Sequence, residues 1–141
     1  MSEIYSLKVM EIAANAPDAG LLDNADARVK RISRVCGSTV EVSINMQGGV
    51  VLAYGQETNA CVLGQASASI LAANIVGCSG EELREIRHQL EAMLKDGGPP
   101  PTGKWDDLKY LQPVKEYPQR HASTMLAFNA VVECLEKIEA Q

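Results

Sequence analysis

The sequence predicts an α+β domain in which an N-terminal helix is followed by a three-stranded antiparallel meander that packs against C-terminal helices. Apolar residues have helical spacing near the N-terminus, alternate with polar residues between residues 40 and 46, and return to helical spacing after residue 57. The chain has 141 residues, of which 46% are hydrophobic, which is the size and composition of one globular unit. Residues 1–141 are therefore predicted to form a single domain.

The chain opens with a predicted helix and a loop. Residues 2–16 place apolar side chains at helical spacing, with Ser2 as a candidate cap. Pro17 and Gly20 end this helix, because proline and glycine interrupt helical structure. The polar residues 18–26 follow as a loop.

The three strands are predicted between residues 27 and 57. From Val40 to Met46, apolar residues alternate with polar ones, which is typical of a half-buried strand. Residues 47–49, Gln-Gly-Gly, favour a tight turn into the next strand, and residues 35–38 join the first two strands.

The remaining chain is predicted to be helical with one long loop. Ser79 and Glu82 form a Ser-x-x-Glu capping box at the start of an amphipathic helix. The predicted elements are a helix over residues 60–75, this amphipathic helix, a proline-rich loop over 96–104, one or two helical turns over 105–111, and a final helix over 120–139.

The charge and the N-terminus exclude several classes of function. The net charge is −5 without a basic block, which is a poor match to nucleic acid or to an anionic membrane. Residues 1–5 lack the basic and apolar regions of a signal peptide, and the longest apolar stretch is too short to span a bilayer. We therefore expect a cytoplasmic protein whose four cysteines are reduced.

Two of the cysteines lie where the backbone would expose a thiol. Cys36 occupies the predicted turn before Gly37, and Cys61 begins a helix, where the positive end of the helix dipole favours a thiolate. Either could instead be a small buried hydrophobic residue. That second interpretation is favoured for Cys78, which precedes a helix cap, and for Cys134 within the last helix.

The histidines and the remaining motifs add little evidence for a site or an enzymatic activity. His88 lies on a charged helix face and is interpreted as a surface residue, whereas His121 is either a surface residue or a ligand that completes a site. The sequence contains no CxxC pair, Walker loop, G-x-S-x-G elbow, H-E-x-x-H motif or dinucleotide fingerprint. These absences favour a protein that is not an enzyme.

Several segments, taken in order, resemble a known family. They are Asn15-Ala16-Pro17 with Leu22-Asp23-Asn24-Ala25-Asp26-Ala27, Val35-Cys36-Gly37-Ser38, Ala60-Cys61 with Ala66-Ser67-Ala68-Ser69, and Pro118-x-Arg120 leading into Ser123-Thr124-Met125-Leu126-Ala127. The family is that of the NifU amino-terminal and IscU-like iron–sulfur cluster assembly scaffolds. The similarity covers nearly the whole chain, and the Cys61 segment is its most specific part.

The resemblance implies a site for iron or a transient [2Fe–2S] cluster. A cysteine desulfurase would supply the sulfur, and acceptor proteins would receive the cluster. Thiolates are soft ligands that suit both iron–sulfur clusters and zinc. The resemblance further implies a monomer or a weak homo-oligomer.

This chain departs from the family pattern at the expected ligands. Ser38 replaces the family's aspartate, Ser123 stands where the third cysteine is expected, and Ala122 stands where a histidine often precedes it. The implied ligand set is Cys36 and Cys61, with His121 as a candidate third ligand and Ser123 as a candidate fourth. His121 is one position further back than the family's histidine, and one residue along a helix turns a side chain by ~100°. Missing ligands could come from a second subunit, a partner or a small thiol.

Three functional hypotheses remain open at this stage. The first is a scaffold or carrier that binds iron or a [2Fe–2S] cluster through Cys36 and Cys61. The second is a zinc-bound acceptor of persulfide sulfur. The third is a degenerate scaffold that acts as a protein–protein interaction module, for which Ser38, Ala122 and Ser123 are the motivating residues.

Overall fold

The computed structural model describes residues 5–16 and 20–141, and these form an α+β fold of helices packed on one antiparallel sheet. The elements are α1 (Leu7–Ala14), β1 (Ala27–Ile32), β2 (Thr39–Gln47), β3 (Val50–Asn59), α2 (Val62–Asn74), α3 (Gly80–Asp96), two 3₁₀ segments (Gly103–Glu116 and Pro118–Arg120) and α4 (His121–Glu139). The predicted fold class and the order of its elements are confirmed.

The sheet is a meander in the order β1-β2-β3, with both neighbouring pairs antiparallel. Val40, Val42 and Ile44 of β2 are fully buried, as the alternating pattern predicts, and α4 packs against β1 and β2. Gly48 and Gly49 both have positive φ, which a two-residue hairpin turn between right-twisted strands requires.

The opposite face of the sheet is crossed by the segment that precedes β1. The Leu22 amide donates to Ser43 Oγ at 2.9 Å, and that hydroxyl donates in turn to the Gly55 carbonyl at 3.2 Å. A Cβ at Gly55 would collide with the Gly20 carbonyl, so only glycine allows the segment this close. The Ser43 hydroxyl therefore has both an acceptor and a donor, which allows this polar side chain to be buried under the crossing segment.

Helix α2 lies in the middle of the helical layer, and most of its side chains are buried. Its run of small residues, Ala66 to Ser69, is buried on all four side chains, and the helix packs against α1, α4 and the longer 3₁₀ segment. Small side chains allow several elements to approach one helix at once. This packing fixes the position of Cys61, which immediately precedes α2.

The helix caps are partly as predicted. Ser79 Oγ accepts from the Glu82 amide at 3.0 Å, which confirms the cap of α3. The cap predicted at Ser2 lies outside the described residues. Within them, α1 begins at Leu7, and Ser6 Oγ accepts from the Val9 amide at 3.2 Å.

The prediction of one or two helical turns over residues 105–111 is wrong in extent. The structure has a 3₁₀ segment from Gly103 to Glu116, with Pro113 inside it. Its buried residues are Trp105, Leu108, Leu111 and Val114. A 3₁₀ helix has three residues per turn, so this spacing of three aligns every apolar side chain on one stripe. The stripe explains why the segment continues through the proline.

Among the described residues, no helix is both long enough and apolar enough to cross a membrane.

Candidate functional site

Cys36 lies near the tip of the turn that joins β1 to β2. The turn is closed by two backbone hydrogen bonds, from the Ser33 amide to the Ser38 carbonyl at 2.8 Å and from the Gly37 amide to the Ser33 carbonyl at 2.7 Å. Gly37 has φ +75°, a left-handed conformation that glycine adopts without strain. The turn leaves Cys36 half-buried, with its thiol at the end of the sheet.

Cys61 is the N-cap residue of α2 and has an extended backbone. It is half-buried, and its side chain makes no capping hydrogen bond. Gly64, in the first turn of α2, lies so close to α4 that an added Cβ would be 3.2 Å from the Ser123 carbonyl oxygen. This close approach brings the start of α2 beside the start of α4, so Cys61 and Ser123 become neighbours.

The Ser38 hydroxyl joins the two cysteine segments. Ser38 Oγ is 3.0 Å from Cys36 Sγ and accepts from the Cys61 amide at 3.3 Å. Ser38 is 3% exposed, so this hydroxyl is held between the segments rather than in solvent. Residues that are 25 positions apart in the sequence thus meet at one buried oxygen.

The Ser123 hydroxyl contacts the second thiol. Cys61 Sγ donates to Ser123 Oγ at 3.6 Å, and Ser123 Oγ donates to the Arg120 carbonyl at 3.2 Å. Ser123 is 1% exposed. The site therefore consists of two accessible thiols with a buried serine hydroxyl behind each, at the positions where the family pattern has an aspartate and a cysteine.

The hydroxyl groups around Cys36 stabilise its thiolate. Hydrogen bonds with Ser33, whose Oγ is 3.5 Å away, and with Ser38 lower the pKa of Cys36 from 9.0 to about 7, against a smaller opposing effect of burial. The Ser38 amide and the Ser123 hydroxyl add to the lowering. A hydroxyl donates a stronger hydrogen bond to a thiolate than to a neutral thiol sulfur, so these contacts favour the charged form.

The thiols of Cys78 and Cys134 lie in surroundings that disfavour the thiolate. Burial raises the pKa of Cys134 to about 11, and burial also raises the pKa of Cys78. Both side chains are fully buried, and Cys78 Sγ donates to the Asn74 carbonyl at 3.2 Å. The prediction that they are core residues is confirmed, and His88 is exposed as predicted.

His121 is positioned differently from the two thiols. It is the first residue of α4, half-buried, and its Nε2 is 3.0 Å from the Val114 carbonyl oxygen. Ser123 lies two positions further along α4, which corresponds to a rotation of ~200° around the helix. Across residues 5–16 and 20–141, no three His, Cys, Asp or Glu side chains are grouped so that they could hold a metal ion. The role of His121 as a ligand stays a prediction.

Sequence reasoning did not identify Ser33 as part of the site, although it is the largest contributor to the lowered pKa of Cys36. Its position three residues before Cys36 indicates the contact, because a turn brings residues at that spacing together. Ser38 was interpreted as the loss of a family aspartate. In the structure it hydrogen-bonds to both cysteine segments.

Comparison with known proteins supports the resemblance seen in the sequence. The model of the NifU-like N-terminal domain family matches residues 4–125. The iron–sulfur cluster assembly scaffold protein IscU of Thermotoga maritima is 29% identical over 135 residues, which cover 96% of this chain and 94% of the relative. The IscU scaffold protein of Streptococcus pyogenes is 22% identical over 137 residues, covering 97% of this chain and 86% of the relative.

The fold also matches a crystal structure. The N-terminal part of a nitrogen-fixing NifU-like protein from Brucella abortus superimposes with a TM-score of 0.96 and 44% sequence identity. The match covers 99% of this chain and 97% of the other. Because the family model covers most of the chain and the fold agrees throughout, this protein belongs to the NifU-like N-terminal domain family.

Proposed function

We propose that this chain is an iron–sulfur cluster assembly scaffold that carries iron or a transient [2Fe–2S] cluster as cargo on Cys36 and Cys61. The main support for the proposal is that Ser38 Oγ contacts both cysteine segments. It lies beside Cys36 Sγ and accepts from the Cys61 amide, and both thiols are half-buried. The family membership and the IscU relatives support the same function. The cargo is a substrate that arrives and leaves, so the protein would bind it without turnover.

The chemistry of the site suits a releasable cargo. Thiolates bind iron and zinc strongly, and the lowered pKa of Cys36 makes its thiolate available near neutral pH. The two thiols lie on separate segments, a turn and a helix start, and are reachable from solvent. An open site of this kind allows another protein to approach the cargo directly.

The partners follow from this function. A cysteine desulfurase would provide sulfur, and acceptor proteins would take the finished cluster. The net charge of −5 disfavours nucleic acid and anionic membranes as partners. Four unpaired cysteines fit a reducing compartment, so we place the protein in the cytoplasm.

Anaerobic reconstitution with ferrous iron and sulfide tests the proposal. The intact protein should acquire a visible chromophore, which Cys36→Ala and Cys61→Ala should largely lose. Cys134→Ala is the matched control, because that thiol is buried in α4 and should not contribute. Circular dichroism establishes that each variant is folded. A colourless product from the intact protein would reject the scaffold function.

A second candidate function is supported by one observation, the environment of Cys36. Its half-buried sulfur lies beside the hydroxyls of Ser33 and Ser38 and has a pKa of about 7, as expected of a thiolate that accepts sulfane sulfur from a desulfurase. Incubation with a desulfurase and cysteine would then leave one extra sulfur on the Cys36 peptide, detected by mass spectrometry. A persulfide on Cys36 without any iron chromophore would favour this candidate over the scaffold. Metal analysis of the purified protein would separate a zinc-bound form from a metal-free one.

A further inference from the structure

A cleft between α1, α2 and the longer 3₁₀ segment lies apart from the two accessible thiols. Its polar lining consists of Lys8, Glu11 and Asn15 on the α1 side, Ser69 and Asn74 of α2, and Asp107 of the 3₁₀ segment. Asn74 ends α2, whereas Cys61 precedes its first residue, so ~20 Å of helix separates them. The cleft has a volume of about 210 Å³, which is smaller than the ~300–1,000 Å³ of a typical small-molecule site and suits an ion with a few waters.

Acceptor oxygens dominate the polar atoms of this cleft. The Asn15 Nδ2 donates to the Glu11 carbonyl, and the Asn74 Nδ2 donates to the Ile70 carbonyl, both at 2.8 Å. Each side-chain amide therefore uses a donor within its own helix and retains its oxygen as an acceptor. The carboxylates of Glu11 and Asp107 accept as well, so a ligand of this cleft has to be a cation or a hydrogen-bond donor.

Ser69 adds a buried hydroxyl that has no partner. It lines the cleft and is 4% exposed, and its Oγ has no hydrogen-bond partner among the residues that the structure describes. Buried hydroxyls are nearly always paired, and an unpaired one indicates a water or an ion beside it. The lone pairs of this oxygen suit a cation held by the neighbouring amide and carboxylate oxygens.

The ends of two helices make the cleft more favourable for a positive charge. Asn15 is the C-cap of α1 and Asn74 ends α2, and the C-terminus is the negative end of a helix dipole. Neither helix has a basic residue in its last turn, whereas α3 has Lys95 and α4 has Lys137. The two helices that reach the cleft thus lack a compensating cation of their own.

Lys8 neutralises only part of the negative charge. Its Nζ is 3.6 Å from Glu11 Oε1, and the two side chains are 42% and 64% exposed, so this ion pair is weak. Lys109 pairs with Asp106 at 3.1 Å, and Asp107 has no ion pair within the described part of the chain. The cleft therefore keeps an uncompensated carboxylate.

We propose that this cleft binds a hard divalent cation, Mg²⁺ or Ca²⁺. The ligands are the carboxylates of Glu11 and Asp107 and the neutral oxygens of Asn15, Ser69 and Asn74. Hard cations take carboxylate, amide and water oxygens, whereas iron and zinc favour the sulfur and nitrogen donors that line no part of this cleft. The bound ion joins α1 to α2 and to the 3₁₀ segment. Two carboxylates give a weak site, with a Kd on the order of 10⁻⁴–10⁻³ M.

Titration of the full chain with Tb³⁺, after treatment with a chelator, tests the proposal. Tyr110 should sensitise the emission of the bound ion, because it lies one 3₁₀ turn beyond Asp107 and its ring is 5.7 Å from Lys8 Nζ. Mg²⁺ and Ca²⁺, added separately, should displace Tb³⁺, and the ion that does so at lower concentration is the better ligand. The same ion, at ten times its Kd, should raise the folding equilibrium constant ~11-fold and so raise the melting temperature.

Matched variants locate the ion. Asp107→Asn and Glu11→Gln should each weaken binding ~10-fold, because each removes one negative charge beside the cation. Asp106→Asn is the control, since Asp106 is the exposed neighbour of Asp107 and does not line the cleft. Ser69→Ala should also weaken binding. Its control is Ser67→Ala, which removes another buried and unpartnered hydroxyl of α2 that lies outside the cleft. Circular dichroism establishes that each variant is folded.

The outcomes separate this site from the thiol site. Cys36→Ala should bind Tb³⁺ as the parent does, and Asp107→Asn should still acquire the iron–sulfide chromophore. Absence of sensitised emission together with an unchanged melting temperature at ~10 mM of either ion, tenfold above the weakest Kd expected, would overturn the proposal. Equal weakening by Asp106→Asn and Asp107→Asn, or loss of binding in Cys36→Ala, would place the ion elsewhere and overturn it as well.

Discussion

Replacing Ser33 and Ser38 by alanine should make the Cys36 thiol less acidic and less reactive at neutral pH. Their hydroxyls are the two largest contributors to the lowering of the Cys36 pKa from 9.0 to about 7. The Ser38 amide and the Ser123 hydroxyl remain in the double variant, so the pKa should rise most of the way toward 9.0 rather than all of it. Cys36 itself and the two backbone hydrogen bonds of its turn remain, while Ser38→Ala also removes the acceptor of the Cys61 amide.

The expected size of the effect follows from the thiolate population. At pH 7 a thiol with a pKa of about 7 is about half ionised, while a thiol with a pKa of 9.0 is about 1% ionised, a difference of ~50-fold. A less basic thiolate is also a weaker nucleophile, by ~8-fold over two pKa units. Cys36 should therefore react with iodoacetamide up to ~6-fold faster at pH 7 than it does in the double variant, the full factor corresponding to a return of the pKa to 9.0.

The assay is the pH dependence of alkylation in the Cys61→Ala background without metal, followed by mass spectrometry of the Cys36 peptide. The rate should rise through an inflection near pH 7 in the parent and at a clearly higher pH in the double variant. Ser67→Ala is the matched control, since its hydroxyl is buried in α2 and has no hydrogen-bond partner among the residues that the structure describes. An inflection near pH 9 in the parent, or one unmoved by the double substitution, would refute this account of the site.

Three further predictions concern the fold. Leu71→Ala should lower the free energy of unfolding in urea by about 2–5 kcal/mol, because Leu71 is fully buried in α2; a loss below 1 kcal/mol would contradict its core position. Ser79→Ala should cost about 1 kcal/mol in the same assay through the lost cap of α3, and an unchanged midpoint would mean that water replaces the cap. Gly55→Ala should cost about 1–3 kcal/mol and speed proteolysis near residues 20–22, since a Cβ there displaces Gly20; wild-type cleavage rates would argue against the tight crossing.

The sheet and the main helices could be predicted because local patterns determine them. Alternation from Val40 to Met46 requires one buried face, and the two glycines after Gln47 adopt the positive φ of a tight hairpin turn. The sequence predicts one or two helical turns over residues 105–111 and a break at Pro113, whereas the buried spacing of three continues to Val114 because a 3₁₀ segment tolerates the proline.

The site was predictable only in part. The residues around each cysteine predict a turn at Cys36 and a helix start at Cys61, and the structure agrees with both positions. Their meeting at Ser38 Oγ depends on the register of β2 and β3, which pairs Thr39 with Asn59 and so aligns the ends of the two segments. The contact of Cys61 with Ser123 depends on how α2 packs on α4, which no short stretch of sequence encodes.

The central claim is that the two thiols carry a cluster that can be passed on. The most direct measurement is transfer from the reconstituted protein to an apo-ferredoxin of the [2Fe–2S] type, followed by circular dichroism, with an iron chelator present to trap free iron. The account predicts that the ferredoxin signal grows as the signal of the loaded protein disappears, and that Cys36→Ala and Cys61→Ala abolish the transfer. A cluster that passes to the chelator alone, or transfer that survives loss of either thiol, would contradict it.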